Sequence, residues 1–384
     1  MKRAGCLLVV VVLLFGLLPM GASAVELNIG GKSGLLMDVT TGTVLYENNA
    51  HAKLAPASVT KVMTMLLIME AIDSGKIGWD DQVTTSESAA GKGGSQIYLK
   101  AGETMSVTDM VKSIAVSSAN DCACAMAEHI AGSESAFVDM MNARAKALGM
   151  EDTHFVNCTG LDDDEAAKEH VTSAHDIAIM SRQLLKNHPE IKKFTTIWMD
   201  TVRDGAFGLA NTNKLVRFYR GATGLKTGYT SGAGYCLSAS AERDGMELVA
   251  VVMGCETSQE RFGACKSMLD YGFANFALIN PQLPEDLTIP VGLGHAKGVK
   301  AVAGADGALL IDKSQRDQVT TEVTLEKELM APVSQGQRLG TMTVRVGEQI
   351  LTQIPLVAET GVSRLSWGDL FLQVLRRVAM AKKA

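Results

Sequence analysis

The sequence predicts an α+β fold in three successive parts: a large sheet-and-helix unit over residues 25–280, a small all-β unit over 285–357 and an amphipathic helix over 363–384. Three observations carry this prediction. Strand-like alternation over 33–49 and again from 234 to 253 brackets a long stretch of helical periodicity, so one antiparallel sheet draws strands from both ends of the large unit. Asn280-Pro281-Gln282-Leu283-Pro284 reads as a linker, and beyond it the composition turns to alternating β-formers. In the final segment Trp367, Leu370, Phe371, Val374 and Val378 share one helical face.

In chain order, Leu35-Leu36-Met37 and Thr43-Val44-Leu45-Tyr46 flank a turn at Thr40-Thr41-Gly42 and make a hairpin. Pro56 precedes an apolar helix from Val62 to Ile72; its missing N–H suits a first helical turn. Residues 79–102, rich in Gly, Ser and Thr, read as irregular surface. Ser106 starts a helix that breaks at Ser117-Ser118-Ala119-Asn120, and a second helix of small apolar residues runs from Asp121 to Ala131. Helical patterns follow over 133–148 and 172–187, the latter opened by capping residues Thr172, Ser173 and Asp176. Two strands, 234–240 and 247–253, join through Glu242-Arg243-Asp244-Gly245, and a helix over 256–277 closes the unit. In the β-unit, Val319–Leu325 alternates, and 341–346 and 349–354 flank a turn at Gly347-Glu348.

At 384 residues and 47% apolar, the chain has the material for more than one core. Lys2-Arg3, the apolar run Leu7 to Leu18 and Ala22-Ser23-Ala24 form a secretory leader, with cleavage expected before Val25. An uncleaved anchor fits less well because the apolar run is short. Without Lys2 and Arg3 the balance is 34 basic against 42 acidic side chains, which argues against a nucleic-acid binder. Outside the leader stand Cys122, Cys124, Cys158, Cys236, Cys255 and Cys265, with neither zinc-ligand spacing nor a disulfide framework; most read as small buried residues, with one disulfide left open. The seven histidines show no Ser/His/Asp pattern and read mostly as surface or capping residues.

The residues that carry chemistry begin with Ser58 and Lys61, three apart and therefore on one face of a helix start. A serine hydroxyl needs a base within reach, and a lysine serves only when burial or a neighbouring cation makes its amine neutral. Ser118-Ala119-Asn120 follows at the helix break, and Lys226-Thr227-Gly228 lies just before the strand pair, with Lys226 a candidate for that cation. Singly each triplet is common. In this order and at these separations they match S-x-x-K, S-x-N and K-T-G.

With these motifs the chain resembles the penicillin-binding-protein and serine β-lactamase superfamily, and within it the low-molecular-mass D-alanyl-D-alanine carboxypeptidases of the peptidase S11 group. The resemblance implies a β-lactamase/transpeptidase-like fold over 25–280 and a substrate that is a peptidoglycan stem peptide ending in D-Ala-D-Ala. It implies inhibition by β-lactam antibiotics, and neither cofactor nor metal. By resemblance Ser58 attacks the penultimate carbonyl to form an acyl-enzyme, Lys61 takes its proton and Ser118 relays a proton to the leaving amine. Asn120 orients the substrate amide, Lys226 and Thr227 hold the terminal carboxylate, Gly228 is a further substrate-binding residue beside them, and the N–H groups of Ser58 and Tyr229 form the oxyanion hole. Arg261 matches an arginine that neutralises the substrate carboxylate in relatives, or is a surface helix arginine. Where some relatives carry a further arginine this chain has Asn211, with Arg217 and Arg220 as weak substitutes.

Three rivals stand beside the carboxypeptidase. A class A β-lactamase needs a deacylating glutamate, and no Glu-x-x-Leu-Asn run occurs among the acids of 160–171. An endopeptidase of the same superfamily generally lacks the trailing β-unit, and an inactive wall-binding protein would have lost part of the motif set. The terminal segment carries Arg364, Arg376, Arg377, Lys382 and Lys383 against Asp369, a net of +4 on an acidic chain. Its apolar run is too broken to span a bilayer, so it reads as an interfacial anchor on the outer face of the cytoplasmic membrane, the alternative being a helix packed on its own β-unit.

Overall fold

The computed structural model describes residues 27, 29–163, 165–305 and 307–381. The leader expected over 1–24 lies outside the described residues. β1 (Ser33–Asp38) and β2 (Val44–Asn48) form the N-terminal hairpin. A 3-10 turn over Ala57–Thr60 runs into α1 (Lys61–Asp73). Next come β3 (Gln82–Thr84), the one-turn α2 (Glu87–Ala90) and β4 (Thr104–Ser106). The stretch expected as irregular surface is therefore partly ordered and partly interior: β3 pairs with β4, and Val83, Ile97 and Leu99 are buried. Three apolar side chains scattered among Gly, Ser and Thr show no period, which hid this from pattern reading.

The helical region comprises α3 (Val107–Ser117), α4 (Asn120–Ala131), α5 (Glu134–Ala147) and α6 (Ala174–Asn187). Ser106, Ser133 and Ser173 cap α3, α5 and α6, each hydroxyl accepting from the N–H three residues on. The short α7 (Lys192–Thr195), the β5 (Met199–Val202) and β6 (Phe207–Ala210) hairpin, and α8 (Leu215–Phe218) lead to the second group of strands. These are β7 (Ala222–Thr230), β8 (Gly234–Arg243) and β9 (Met246–Cys255), followed by α9 (Ser258–Asn275).

The central sheet has the order β2-β1-β9-β8-β7, with Leu35 opposite Val251, so the two ends of the unit meet in one antiparallel sheet as expected. Every residue of β9 is buried because both faces are covered. α6 packs on the face of Leu35, Val249 and Val251, and α9 sets Cys265, Met268 and Leu269 against Leu237, Leu248 and Val252. α1 is apolar nearly all round and buried from Lys61 to Met69, as befits the central helix of the insertion. Its N-terminus lies under β7 at the sheet edge. The six cysteines among the described residues are all free and buried.

Just before the linker, β10 (Phe276–Ile279) pairs with β13 (Leu309–Asp312), which lies beyond it. The remaining strands are β11 (Thr288–Gly292), β12 (Gly298–Ala303), β14 (Val319–Leu325), β15 (Leu329–Met330), β16 (Arg338–Val346) and β17 (Gln349–Ala358). They form one sheet, β14-β16-β17-β12-β11-β15, around Val291, Leu339, Met342, Val344 and Leu356. α10 (Trp367–Ala381) follows, capped by Ser366 and Asp369. Trp367, 89% exposed, and Phe371, Leu372, Val374 and Leu375 stand in solvent, so this apolar face is not packed on the β-unit. Among the described residues no helix is long and apolar enough to cross a membrane.

Candidate active site

The site is built where the first turn of the insertion meets the edge strand of the sheet. Ala57 adopts φ +48°, a left-handed conformation that a residue with a Cβ rarely takes, and the 3-10 turn it opens aims Ser58 and Lys61 the same way. Lys61 Nζ lies 3.0 Å from Ser58 Oγ and donates to the Thr159 carbonyl at 2.8 Å. The side chain is wholly buried. Burial pulls its pKa from 10.5 down to about 7, against the opposing pull of Cys158 and Asp121. A substantial share of the amine is therefore neutral near pH 7, with a lone pair able to take the serine proton.

The sequence left two causes for a neutral Lys61 open, burial or a neighbouring cation, with Lys226 the candidate cation. Burial is the largest cause, and the mutual repulsion is felt at Lys226, which burial and then Lys61 and Arg261 hold well below the usual lysine range. Lys226 is buried on β7, with Nζ donating to the Thr227 carbonyl at 2.8 Å. Thr227 Oγ1 donates to Thr212 Oγ1 at 2.7 Å.

Two glycines let backbones close around the serine turn. A Cβ on Gly228 would stand 2.7 Å from the Pro56 carbonyl and 3.0 Å from the Val59 nitrogen, so β7 approaches the turn this closely only without a side chain. Gly160, at φ +82°, leaves no room for a Cβ against the Ala57 carbonyl, and it directly follows Thr159, which steers Lys61.

Ser118 ends α3 in a left-handed conformation, φ +64°, and is buried at the break before α4. Asn120 opens α4; its amide nitrogen donates to the Gly93 carbonyl at 2.7 Å, while its side-chain oxygen is buried without a hydrogen-bond partner. A buried acceptor left unpaired is costly, and it suits a site that meets an N–H only when a ligand binds. Asp121 accepts from the N–H groups of Ile97 and Leu99, pinning the preceding loop to this corner. Tyr229 is 55% exposed at the end of β7, its ring 4.3 Å from that of Tyr235.

Arg261 is no surface arginine. It is buried on α9, donating to the carbonyls of Gly228 at 2.9 Å and Cys236 at 3.3 Å, with the rings of Tyr235 and Phe262 about its guanidinium. It braces β7 and β8 through their carbonyls. Asn211 is also internal, bonded to the carbonyls of Thr195 and Ile197, and the next residue, Thr212, is the one that reaches Thr227. Arg217 stacks on Trp198 and Phe218, and Arg220 is exposed.

Sequence reading missed Thr159, Gly160 and Thr212. Asn157-Cys158-Thr159-Gly160 did carry a turn signal: Asn157 Oδ1 accepts from the N–H groups of Thr159 and Gly160. The histidines expected at the surface include two that are buried. His188 contacts Asp73, and His170 meets Thr60 Oγ1 at 2.8 Å, next to Lys61. Burial, with His154 and Lys61 beside it, holds His170 at about 4, so the ring is neutral near pH 7.

Comparison with known proteins agrees with this geometry. The sequence model of the D-alanyl-D-alanine carboxypeptidases, peptidase S11, matches residues 20–257, and that of the penicillin-binding protein 5 C-terminal domain matches 284–364. D-alanyl-D-alanine carboxypeptidase DacF of Bacillus subtilis is 42% identical over 364 residues, covering 93% of this chain and 91% of that protein. DacC of Escherichia coli is 34% identical, covering 87% and 85%. Penicillin-binding protein 5 of Haemophilus influenzae superposes with a TM-score of 0.74 at 32% identity, over 88% of this chain and 99% of that one. Penicillin-binding protein D2 of Listeria monocytogenes, solved with ampicillin bound, superposes at 0.59 and 33% identity over 65% of this chain and 99% of that one. A serine within reach of a buried lysine, set on this fold, and likeness along nearly the whole chain lead to one conclusion: the chain belongs to the peptidase S11 family of D-alanyl-D-alanine carboxypeptidases.

Proposed function

We propose that the chain is a serine-type D-Ala-D-Ala carboxypeptidase that trims the terminal D-alanine from peptidoglycan stem peptides and is acylated by β-lactams. The observation that carries this reading is Lys61 Nζ at 3.0 Å from Ser58 Oγ, with a pKa near 7. Ser58 Oγ attacks the penultimate D-Ala carbonyl carbon as its proton passes to Lys61 Nζ. The C–N bond then breaks as Lys61 gives that proton up, through Ser118, to the leaving amine of D-alanine, which leaves Lys61 neutral again. Water attacks the resulting ester as its proton passes to Lys61; the ester C–O bond breaks, Lys61 hands the proton to Ser58 Oγ, and both residues return to their starting state.

Asn120 offers its unpaired side-chain oxygen to a substrate N–H. Lys226 and the Thr212–Thr227 hydroxyl pair meet the terminal carboxylate. The N–H groups of Ser58 and Tyr229 stabilise the oxyanion. Arg261 acts through the Gly228 carbonyl as a positioning residue. Mass spectrometry of a stem pentapeptide after incubation tests the activity: loss of one alanine, abolished in Ser58→Ala, is expected, and an unchanged peptide overturns it.

We further infer that residues 25–280 form the catalytic unit, 285–357 the β-unit, and 363–384 an interfacial anchor that holds an exported enzyme at the outer face of the cytoplasmic membrane. The exposed apolar face of α10 and the basic residues of its segment support this reading. Deleting 363–384 is expected to free active enzyme from membranes; a truncated protein that still sediments with them overturns the anchor.

A further inference from the structure

Away from the serine site, where α9 hands over to the β-unit, a cavity of about 210 Å³ is lined by Arg220, Arg243, Lys313 and Arg316. Asp244 is the one acid in its lining, giving a local charge of +3 on a chain whose net charge is −6. The four cations come from the segment before β7, the last residue of β8 and the 3-10 turn Lys313–Gln318, so only the fold brings them together. We propose that this cavity is a binding site for a phosphate-bearing anion.

Two of the cations are fixed in place. The Arg243 guanidinium lies 4.6 Å from the ring centres of both Tyr219 and Phe273, and its Nε donates to the Arg220 carbonyl at 3.1 Å. Its contact with Asp270 is long, 3.8 Å. Lys313 Nζ donates to the Phe273 carbonyl at 2.9 Å, in the last turn of α9, where a helix favours positive charge. Arg220 and Arg316 are exposed and form no ion pair among the described residues. Like charges that line one cavity repel one another, and a bound anion relieves the repulsion.

Phosphate fits this donor set better than a carboxylate, because guanidinium forks pair bidentately with phosphate oxygens and a phosphate offers more acceptors and more charge. The apolar side of the cavity, Phe273 and Phe276, accommodates a short carbon skeleton beside the phosphate. sn-Glycerol 3-phosphate has this shape, and the same group occurs in soluble phosphate esters, in phosphate polymers and in anionic lipid headgroups.

The test uses the full chain and two probes. Calorimetric titration with sn-glycerol 3-phosphate is expected to show binding about tenfold weaker in R220A/R316A, as loss of two charged contacts implies. R220K/R316K, which keeps the charge, is expected to retain most of it, and penicillin labelling of Ser58 is expected to be unchanged in both variants. Vesicles of phosphatidylcholine with and without phosphatidylglycerol separate the sources. A drop in sedimentation of R220A/R316A confined to phosphatidylglycerol vesicles assigns the site to a lipid headgroup; equal sedimentation alongside weakened glycerol 3-phosphate binding assigns it to a soluble or polymeric ester. Equal binding of both probes by wild type and R220A/R316A, or binding of neither, overturns the proposal.

Discussion

In the six-stranded β-unit, Leu339, Met342, Val344, Leu356 and Ala358 fill the interior, and Thr343 is the one buried polar residue among its described residues. Around the start of α1, Lys61, Ser118, Asn120, Asp121, Lys226 and Arg261 are all buried, and Ala57 and Ser118 take left-handed backbone conformations. The β-unit is an apolar core whose residues stabilise it directly. The serine site holds groups that water would solvate better, and the surrounding helices and sheet bear the difference. The contrast predicts that substitutions in the β-unit lower stability and spare chemistry, whereas substitutions at the site do the reverse.

The largest effect is expected for Lys61→Met. Removing the base should slow acylation by penicillin by about 10²–10⁴-fold, while the melting temperature holds or rises because a buried amine has gone. A variant that melts well below wild type would break the comparison. Next comes Leu356→Ala, which should destabilise the β-unit by about 2–5 kcal/mol in denaturant titrations and leave the rate of penicillin labelling unchanged. Loss of labelling under native conditions would show that the two parts are not independent in this sense.

pH sharpens the contrast further. With Lys61 at about 7, acylation should fall about tenfold per unit as pH drops below that value, and flatten above it. Stability should respond in the adjoining window, above that value. Between the ordinary lysine value of 10.5 and about 7 the unfolded chain holds a proton that the folded chain lacks, so stability falls as pH is lowered through this window. In Lys61→Met the contribution of this residue to that slope disappears. The smallest effect is expected for Thr212→Val: loss of one hydroxyl beside Thr227 should raise KM by roughly threefold to tenfold with kcat nearly unchanged. An equal fall in kcat would instead give Thr212 a part in the transition state.

What was legible in the sequence was what local geometry sets. Ser58 and Lys61 meet because residues three apart share a helical face, and the Ser118-Ala119-Asn120 break follows from a helix stop beside a new helix start. The central sheet was readable from its alternation at both ends. What stayed hidden depends on contacts across the chain. Thr159 reaches Lys61 over 98 positions, and His170 reaches Thr60 over 110. Arg261 has the composition of a surface helix residue, and only the packing of α9 behind β7 and β8 buries it. Thr212, one place from the position that sequence matching singled out, is distinguished from Asn211 only by which way the two side chains point.

The fit of Gly160 against Ala57 bears on drug tolerance. Because main-chain atoms of the two loops touch with no side chain between them, the serine turn and the carbonyl that steers Lys61 move as one part. A variant that shifts Ser58 out of reach of a β-lactam therefore shifts the base's second partner as well, and loses turnover of the natural substrate in the same step. Tolerance that preserves growth is expected instead at the rim, where exposed Tyr229 can change without disturbing that joint. Selection on a β-lactam followed by sequencing distinguishes the two: enrichment at position 229 over position 160 is expected, and enrichment at 160 with activity intact would show that the turn has a freedom its packing denies.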